Sequence, residues 1–199
     1  MTKTKKAYFS QRLVAFIIDM LFVTVVASLL AGPFVDSEKL QKYEKQEKEI
    51  MEKYTKQEIG PKDYFVSYED VYYKLTRDTG VLSIITILLE IVYFVVFQLV
   101  NGGQTFGKKI MKIKVVSEDG SLDMNQMIYR SLLPNFILVN TLTFMFLLFT
   151  SKSVYFGVSL SLQGIQYLLM FISTIMILSK NNGCAIHDKL AHTKVIQAK

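Results

Sequence analysis

RLVAFIIDMLFVTVVASLLA, residues 12–31, is the stretch that decides the fold. About 20 apolar residues at a 1.5 Å rise cross the roughly 30 Å hydrocarbon core of a bilayer, so the run reads as a membrane helix. It nevertheless carries Asp19. An ionised carboxylate in lipid costs from about 3 to above 10 kcal/mol, so Asp19 must face protein, water or a partner charge. The basic Lys3, Lys5 and Lys6 upstream resemble the start of a secretory signal. The apolar run exceeds an h-region of about 7–15 residues and lacks a small-residue cleavage site, so the segment is expected to be retained.

Outward from this run, the chain is 51% hydrophobic, with 14 Phe, 11 Tyr and no Trp, and its apolar residues fall into blocks. Spans are expected at 81–100, 131–149 and 156–178, in addition to the first, which ends at Gly32-Pro33. The formal net charge of +6 is compartmented. Lys3, Lys5, Lys6 and Arg12 precede the first span; Lys108, Lys109, Lys112, Lys114 and Arg130 follow the second; Lys180, Lys189, Lys194 and Lys199 follow the last. Residues 36–78 instead hold nine Lys or Arg against eleven Asp or Glu. The positive-inside rule then puts both termini and residues 101–130 in the cytoplasm and 34–80 outside. Basic residues placed this way answer topology and argue against nucleic acid as a partner. The single Cys184 supplies neither a disulfide framework nor a cysteine zinc site.

The expected fold is thus an all-α membrane protein. It has four transmembrane helices, a small cytoplasmic two-stranded β element and an extracellular helical insertion. Residues 1–33 form the N-tail and first span, 34–80 the outer loop, 101–130 the inner loop and 179–199 the cytoplasmic tail. In the outer loop, EKLQKYEKQEKEIMEKYTKQ (38–57) predicts a helix with Leu40, Tyr43, Ile50, Met51 and Tyr54 on one stripe. That stripe is read as one face of a solvated helix, with a coiled partner as the alternative. Ser67 and Asp70 suggest a capping box that starts a second short helix. Lys112 to Val116 alternates like a strand and could pair with TKVIQ at 193–197; Asp119-Gly120 reads as a turn and Asp123 as a helix cap. In the last span Ser159, Gln163, Gln166 and Ser173 form a polar stripe that should point into the bundle.

Arg12 lies seven residues, about 10 Å, before Asp19, too far for an easy pair. Arg12 is expected to snorkel toward headgroups, and Arg130, with Lys108 and Lys109 behind it, to answer Asp19. Glu90, mid-span, falls at a depth similar to that of Asp19. The two acids, with Asn140 and Gln163, form a set suited to binding Na⁺ or relaying protons, the alternative being structural pairing. Gly102-Gly103-Gln104-Thr105-Phe106-Gly107-Lys108 matches the front of a phosphate-binding loop. Lys109 stands where Ser or Thr should hold Mg²⁺ and a membrane helix precedes the loop, so no nucleotide site is expected. His187, Asp188 and His192 lack metal-site spacing, and no catalytic constellation is apparent, so no cofactor and no enzymatic activity are expected.

Arg12 with Asp19, then GGQTFGKKIMKIKVVSEDG from Gly102, then Arg130, then HDKLAHTKVI from His187, resembles the RDD family of bacterial membrane proteins, named for an Arg and two Asp. The likeness covers all but the outer loop. It implies that Arg12 and Asp19 are the named Arg and first Asp and Asp188 the second, with Gly103, Thr105, Gly107, Lys108, His187 and Thr193 as motif positions. Met111 and Lys112 depart from the small residue usual before the strand. The resemblance also implies a bacterial cell membrane location and, from some members, Na⁺/H⁺ antiport. Together these readings lead to cation- or proton-linked transport on Asp19 and Glu90, with Arg12 and Arg130 setting their charge. Four helices enclose little space, so a homo-oligomer or a larger partner is expected. The alternative is a noncatalytic scaffold or assembly factor that docks a partner through the cytoplasmic cap.

Overall fold

A computed structural model describes residues 5–179 and 183–198; Lys3, Lys180 and Lys199, counted above among the basic flanks, lie outside these. Helix α1 spans Phe9–Ala31 and runs on into a short 3₁₀ turn at Gly32–Phe34 with Pro33 inside it. Its buried positions are Ala15, Asp19, Val23, Ala27 and Ala31. That four-residue step is one face of a helix, and its small side chains let neighbouring backbones come close.

Helix α2, Ser37–Thr55, is capped by Asp36, whose carboxylate accepts the N–H groups of Glu38 and Lys39. Helix α3 spans Pro61–Asp78. The capping box expected at Ser67 is corrected, because Pro61 at the first helical position starts the helix two turns earlier and leaves Ser67 inside it. The stripe on α2 is turned on α3 within the chain: the Tyr54 and Tyr64 rings lie 4.7 Å apart and Tyr43 donates to Asp78 at 2.8 Å. Helix α3 in turn lies along α8, Lys152–Leu178, through Lys152–Asp70 and Ser153–Glu69 contacts of 3.1 and 2.7 Å.

Helix α4 is Gly80–Val100 and contains a π-helical stretch at Val92–Phe97, for which the sequence carries no signal. After it come the short α5, Phe106–Ile110, strand β1, Ile113–Ser117, and helix α6, Met124–Leu132. Asp123 caps α6 as expected, accepting from the Gln126 N–H while Gln126 reaches back. The single helix expected at 131–149 is corrected. It is broken into α6 and α7, Ile137–Phe149, at a 68° bend. Pro134 brings no N–H to the ladder and its ring crowds the preceding turn, while Phe136 sits in the left-handed region at φ 61°. Helix α8 begins at Lys152, four residues before the expected 156, so residues 150 and 151 alone join it to α7.

Helix α9, Ile186–Leu190, and strand β2, Thr193–Gln197, complete the described chain. The two strands pair antiparallel, with Val115 opposite Val195, as the alternation foreshadows. The N-terminal segment adds a third backbone partner, through Ala7 N–H to the Val195 carbonyl and Gln197 N–H to the Lys5 carbonyl. This β element closes on a small core of Ala7, Ala15, Ile113, Val115 and Val195 at one end of α1. In the helical part α1 lies on α4, α4 on α7 and α7 on α8, and α6 sits on the π-helical stretch. Three helices are long and apolar enough to cross a membrane, Phe9–Phe34, Gly80–Val100 and Lys152–Leu178, and up to four if the bent pair is one span.

Candidate functional site

Asp19, 1% exposed, is held by hydroxyls and backbone. Tyr93 donates to Oδ1 at 2.6 Å, Thr105 to Oδ2 at 2.5 Å, and the Gly107 N–H to Oδ1 at 2.7 Å. Thr105 also caps α5, and the Tyr93 oxygen accepts the Phe106 N–H at 3.0 Å. One carboxylate therefore sews α1 to α4 and α5. Among the described residues no cation forms an ion pair with it, so the expectation that Arg130 answers Asp19 is corrected. Three donors converging on two oxygens satisfy a buried carboxylate well. Thr105 and Gly107 are legible as motif positions; Tyr93, one turn beyond Glu90 on α4, reads as one more aromatic residue of an apolar run. Asp19→Asn keeps one acceptor oxygen and lets the Thr105 hydroxyl turn round, so it should cost about 1–2 kcal/mol, read as a lower thermal unfolding temperature in detergent.

Arg130 instead meets Asp188. The Arg130 guanidinium pairs with Asp188 Oδ1 and donates to Thr193 Oγ1 at 3.0 Å, while Arg12 Nη1 meets Asp188 Oδ2 at 2.8 Å. Arg12 does not snorkel: its Nη2 donates to the Gly183 carbonyl at 2.8 Å, and its side chain is 10% exposed. The Arg and the second Asp implied by the resemblance thus form a pair, and the first Asp stands apart from both. Arg12 comes from α1, Arg130 from α6 and Asp188 from α9, so the carboxylate ties the tail to two membrane-side helices. Burial by itself favours the neutral acid. Arg130 and Arg12, with the Ala185 N–H, outweigh it and hold the Asp188 carboxyl well below the usual carboxylate range. His187 is pushed down to about 3, burial being the largest cause, and is neutral at pH 7.

Glu90, also 1% exposed, has one hydrogen-bond partner among the described residues, the Asn140 amide, which reaches its two oxygens at 3.1 and 3.2 Å. The acids expected to act as one set are therefore two separate arrangements with no shared partner. Gln163 does not join Glu90; it contacts the Tyr72 hydroxyl of α3 at 3.4 Å. From the same polar stripe, Ser159 and Gln166 are buried, and Gln166 donates to the Leu133 carbonyl freed by the α6–α7 break. Asn140 also lines a cavity of about 240 Å³ with Ser83, Thr86, Thr143 and Tyr155.

A second cavity, of about 160 Å³, lies between α1 and α8 and is lined by Arg12, Asp19, Lys108 and Arg130 together with apolar side chains of both helices. Lys108 Nζ donates to Gln98 Oε1 at 3.1 Å, a contact sequence reasoning missed because Gln98 reads as one more residue of an apolar span. The phosphate-loop resemblance dissolves here. Gly103 takes φ +84° because β1 runs against it, with the Val115 N–H on its carbonyl at 3.0 Å, and Gly107 lies on the α1 backbone. No group of three or more His, Cys, Asp or Glu among the described residues is arranged to hold a metal.

Compared with known families, the chain matches the model of the RDD family over residues 6–192. No curated protein and no solved structure matches it.

Proposed function

The chain belongs to the RDD family of membrane proteins, and from that premise we propose that it moves a proton or a small monovalent cation across the bacterial cell membrane, with Glu90 as the binding group. The observation that carries this reading is the isolation of Glu90. An ionised carboxylate offers about four acceptor sites, and one Asn140 amide answers two of them, so the rest are open to a proton or a cation. Buried ionisable groups inside a span mark ion pathways more often than elsewhere. The hydroxyl-lined cavity at Asn140 offers an approach to the site, and the π-helical stretch that starts two residues past Glu90 is a common companion of functional sites in helices. Asp19 drops out of the pathway, because its oxygens are already occupied. The basic flanks support an orientation with both ends of the chain inside and the α2–α3 pair outside. The apolar window of α8, 6% buried within the chain, supports contact with lipid or with further copies.

No covalent chemistry enters this reading, and no cofactor is required by it. Proteoliposomes with an imposed pH or Na⁺ gradient test it. Gradient-driven flux in the parent should fall to the level of empty liposomes in Glu90→Gln, with the unfolding temperature retained, and should survive in Asp19→Asn. Absence of flux in the parent, or full flux in Glu90→Gln, overturns it.

A further inference from the structure

The cavity between α1 and α8 holds more positive than negative charge. Arg12, Lys108 and Arg130 line it; Asp19 is the carboxylate among its lining residues, and Asp188 stands behind the two arginines. With His187 neutral, one positive charge is left over. The donors show where it sits. Lys108 spends one of its three N–H groups on Gln98 and has no carboxylate partner among the described residues, and Arg12 Nε is buried without a hydrogen-bond partner. Burial, the largest cause, pushes the Lys108 ammonium down to about 8, and the charges of Asp19 and Asp188 offset only part of it. A buried cation without a counter-ion is costly, so a site of this kind calls for an anion.

The walls say what kind. Phe9, Leu13 and Phe16 of α1 face Leu169, Met170 and Ile177 of α8. The main partners of α1 are α4 and α5, and those of α8 are α3, α7 and α9, so the two helices flank the cavity without closing over it. Leu13, which lines the cavity, is 43% exposed, so the mouth opens on the apolar outer surface of α1 that lipid would cover. A free phosphate is strongly hydrated and has no use for such walls; a lipid phosphodiester brings one negative charge and a chain to lie on them.

We infer that this cavity is a lateral binding site for one anionic phospholipid, whose phosphodiester meets Lys108 and Arg12 and whose acyl chain runs between α1 and α8. The inference is independent of ion movement at Glu90. Its test is lipid retention by the detergent-purified full chain, followed by native mass spectrometry and thermal unfolding, with phosphatidylglycerol and phosphatidylcholine as probes. One phosphatidylglycerol should be held with at least about tenfold preference over phosphatidylcholine, the ratio that about 1.4 kcal/mol produces. Lys108→Gln should erase the preference and Lys108→Arg keep it. Lys189→Gln, which removes an exposed charge elsewhere, should leave it unchanged. Met170→Trp should lose the lipid with every charge in place, and it decides the matter if Lys108→Gln does not fold. Equal retention of both lipids, an unaltered preference in Lys108→Gln, or undiminished binding in Met170→Trp overturns the inference. So does inorganic phosphate stabilising the protein as well as the lipid does, which would make this a site for a free anion.

Discussion

Asp188→Asn is expected to lower the stability of the purified protein by about 3–5 kcal/mol, the penalty for breaking a buried ion pair by removing one partner. The carboxylate, which has no exposed side-chain surface, is the single anion between two guanidiniums from different helices. Its amide would keep one acceptor oxygen and aim an NH₂ group at an arginine or at the Ala185 N–H, donor against donor. Arg12 and Arg130 would then repel each other across an uncharged amide, and the tie of α9 and β2 to α1 and α6 would weaken. The same group sets an acid limit. Because its native pKa is depressed, its contribution is complete above the unfolded carboxylate value of about 3.9, declines as pH falls below that value, and is gone once pH passes through the lower native value. Thermal unfolding in detergent from pH 7 down to pH 3 should therefore show a parent that loses stability below about pH 4 and an Asp188→Asn variant with a flatter profile. Parent-like stability of the variant at pH 7 would mean that the pair contributes nothing.

The elements legible in the sequence were those whose cause is local. Alternation at Ile113 and Val115, the cap at Asp123, and the long apolar runs of α1 and α4 each follow from neighbours in the chain, and the structure has them within a residue or a few. What escaped was decided by partners distant in sequence. Arg12 and Asp19 share a helix but lie too far apart along it to pair easily, which points Arg12 toward headgroups and Asp19 toward the next cation, Arg130. The tail brings Asp188 to Arg12 from 176 positions away, and the loop brings Thr105 and Gly107 to Asp19. Hydrophobicity likewise reads residues 131–149 as one span, whereas the chain bends between α6 and α7, and the Leu133 carbonyl left open at the break takes its donor from Gln166, 33 positions away. Glu90 with Asn140 was legible because both are polar residues in apolar runs. Gln163 meets Tyr72 and not Glu90, because a helical stripe gives a face but not which neighbour that face meets.

Gly107→Ala is expected to be as damaging as the loss of a buried charge, although it adds one methyl group. A Cβ at this position would run into the Ala15 carbonyl oxygen and stand 2.9 Å from Asp19 Oδ1, so neither the backbone of α1 nor the acid it must reach could stay in place. Overpacking of this kind costs about 1–3 kcal/mol, and pulling the Gly107 N–H away from a buried carboxylate adds about 1.5–3 kcal/mol, so a total near 3–5 kcal/mol is expected. The damage should travel with α5. Phe106 N–H leaves the Tyr93 oxygen, Thr105 leaves Asp19, and the acid in α1 loses the donors that offset its burial. Gly157→Ala is the control, since nothing lies within 4 Å of an added Cβ there and the site is inside α8, where alanine should be neutral or favourable by up to about 1 kcal/mol. Thermal unfolding of the two variants beside the parent separates the effects, and amide exchange of residues 101–110 localises the first. A Gly107→Ala protein as stable as the Gly157→Ala control would show that α1 and α5 do not need their close approach, and with it would go the account of how Asp19 is accommodated.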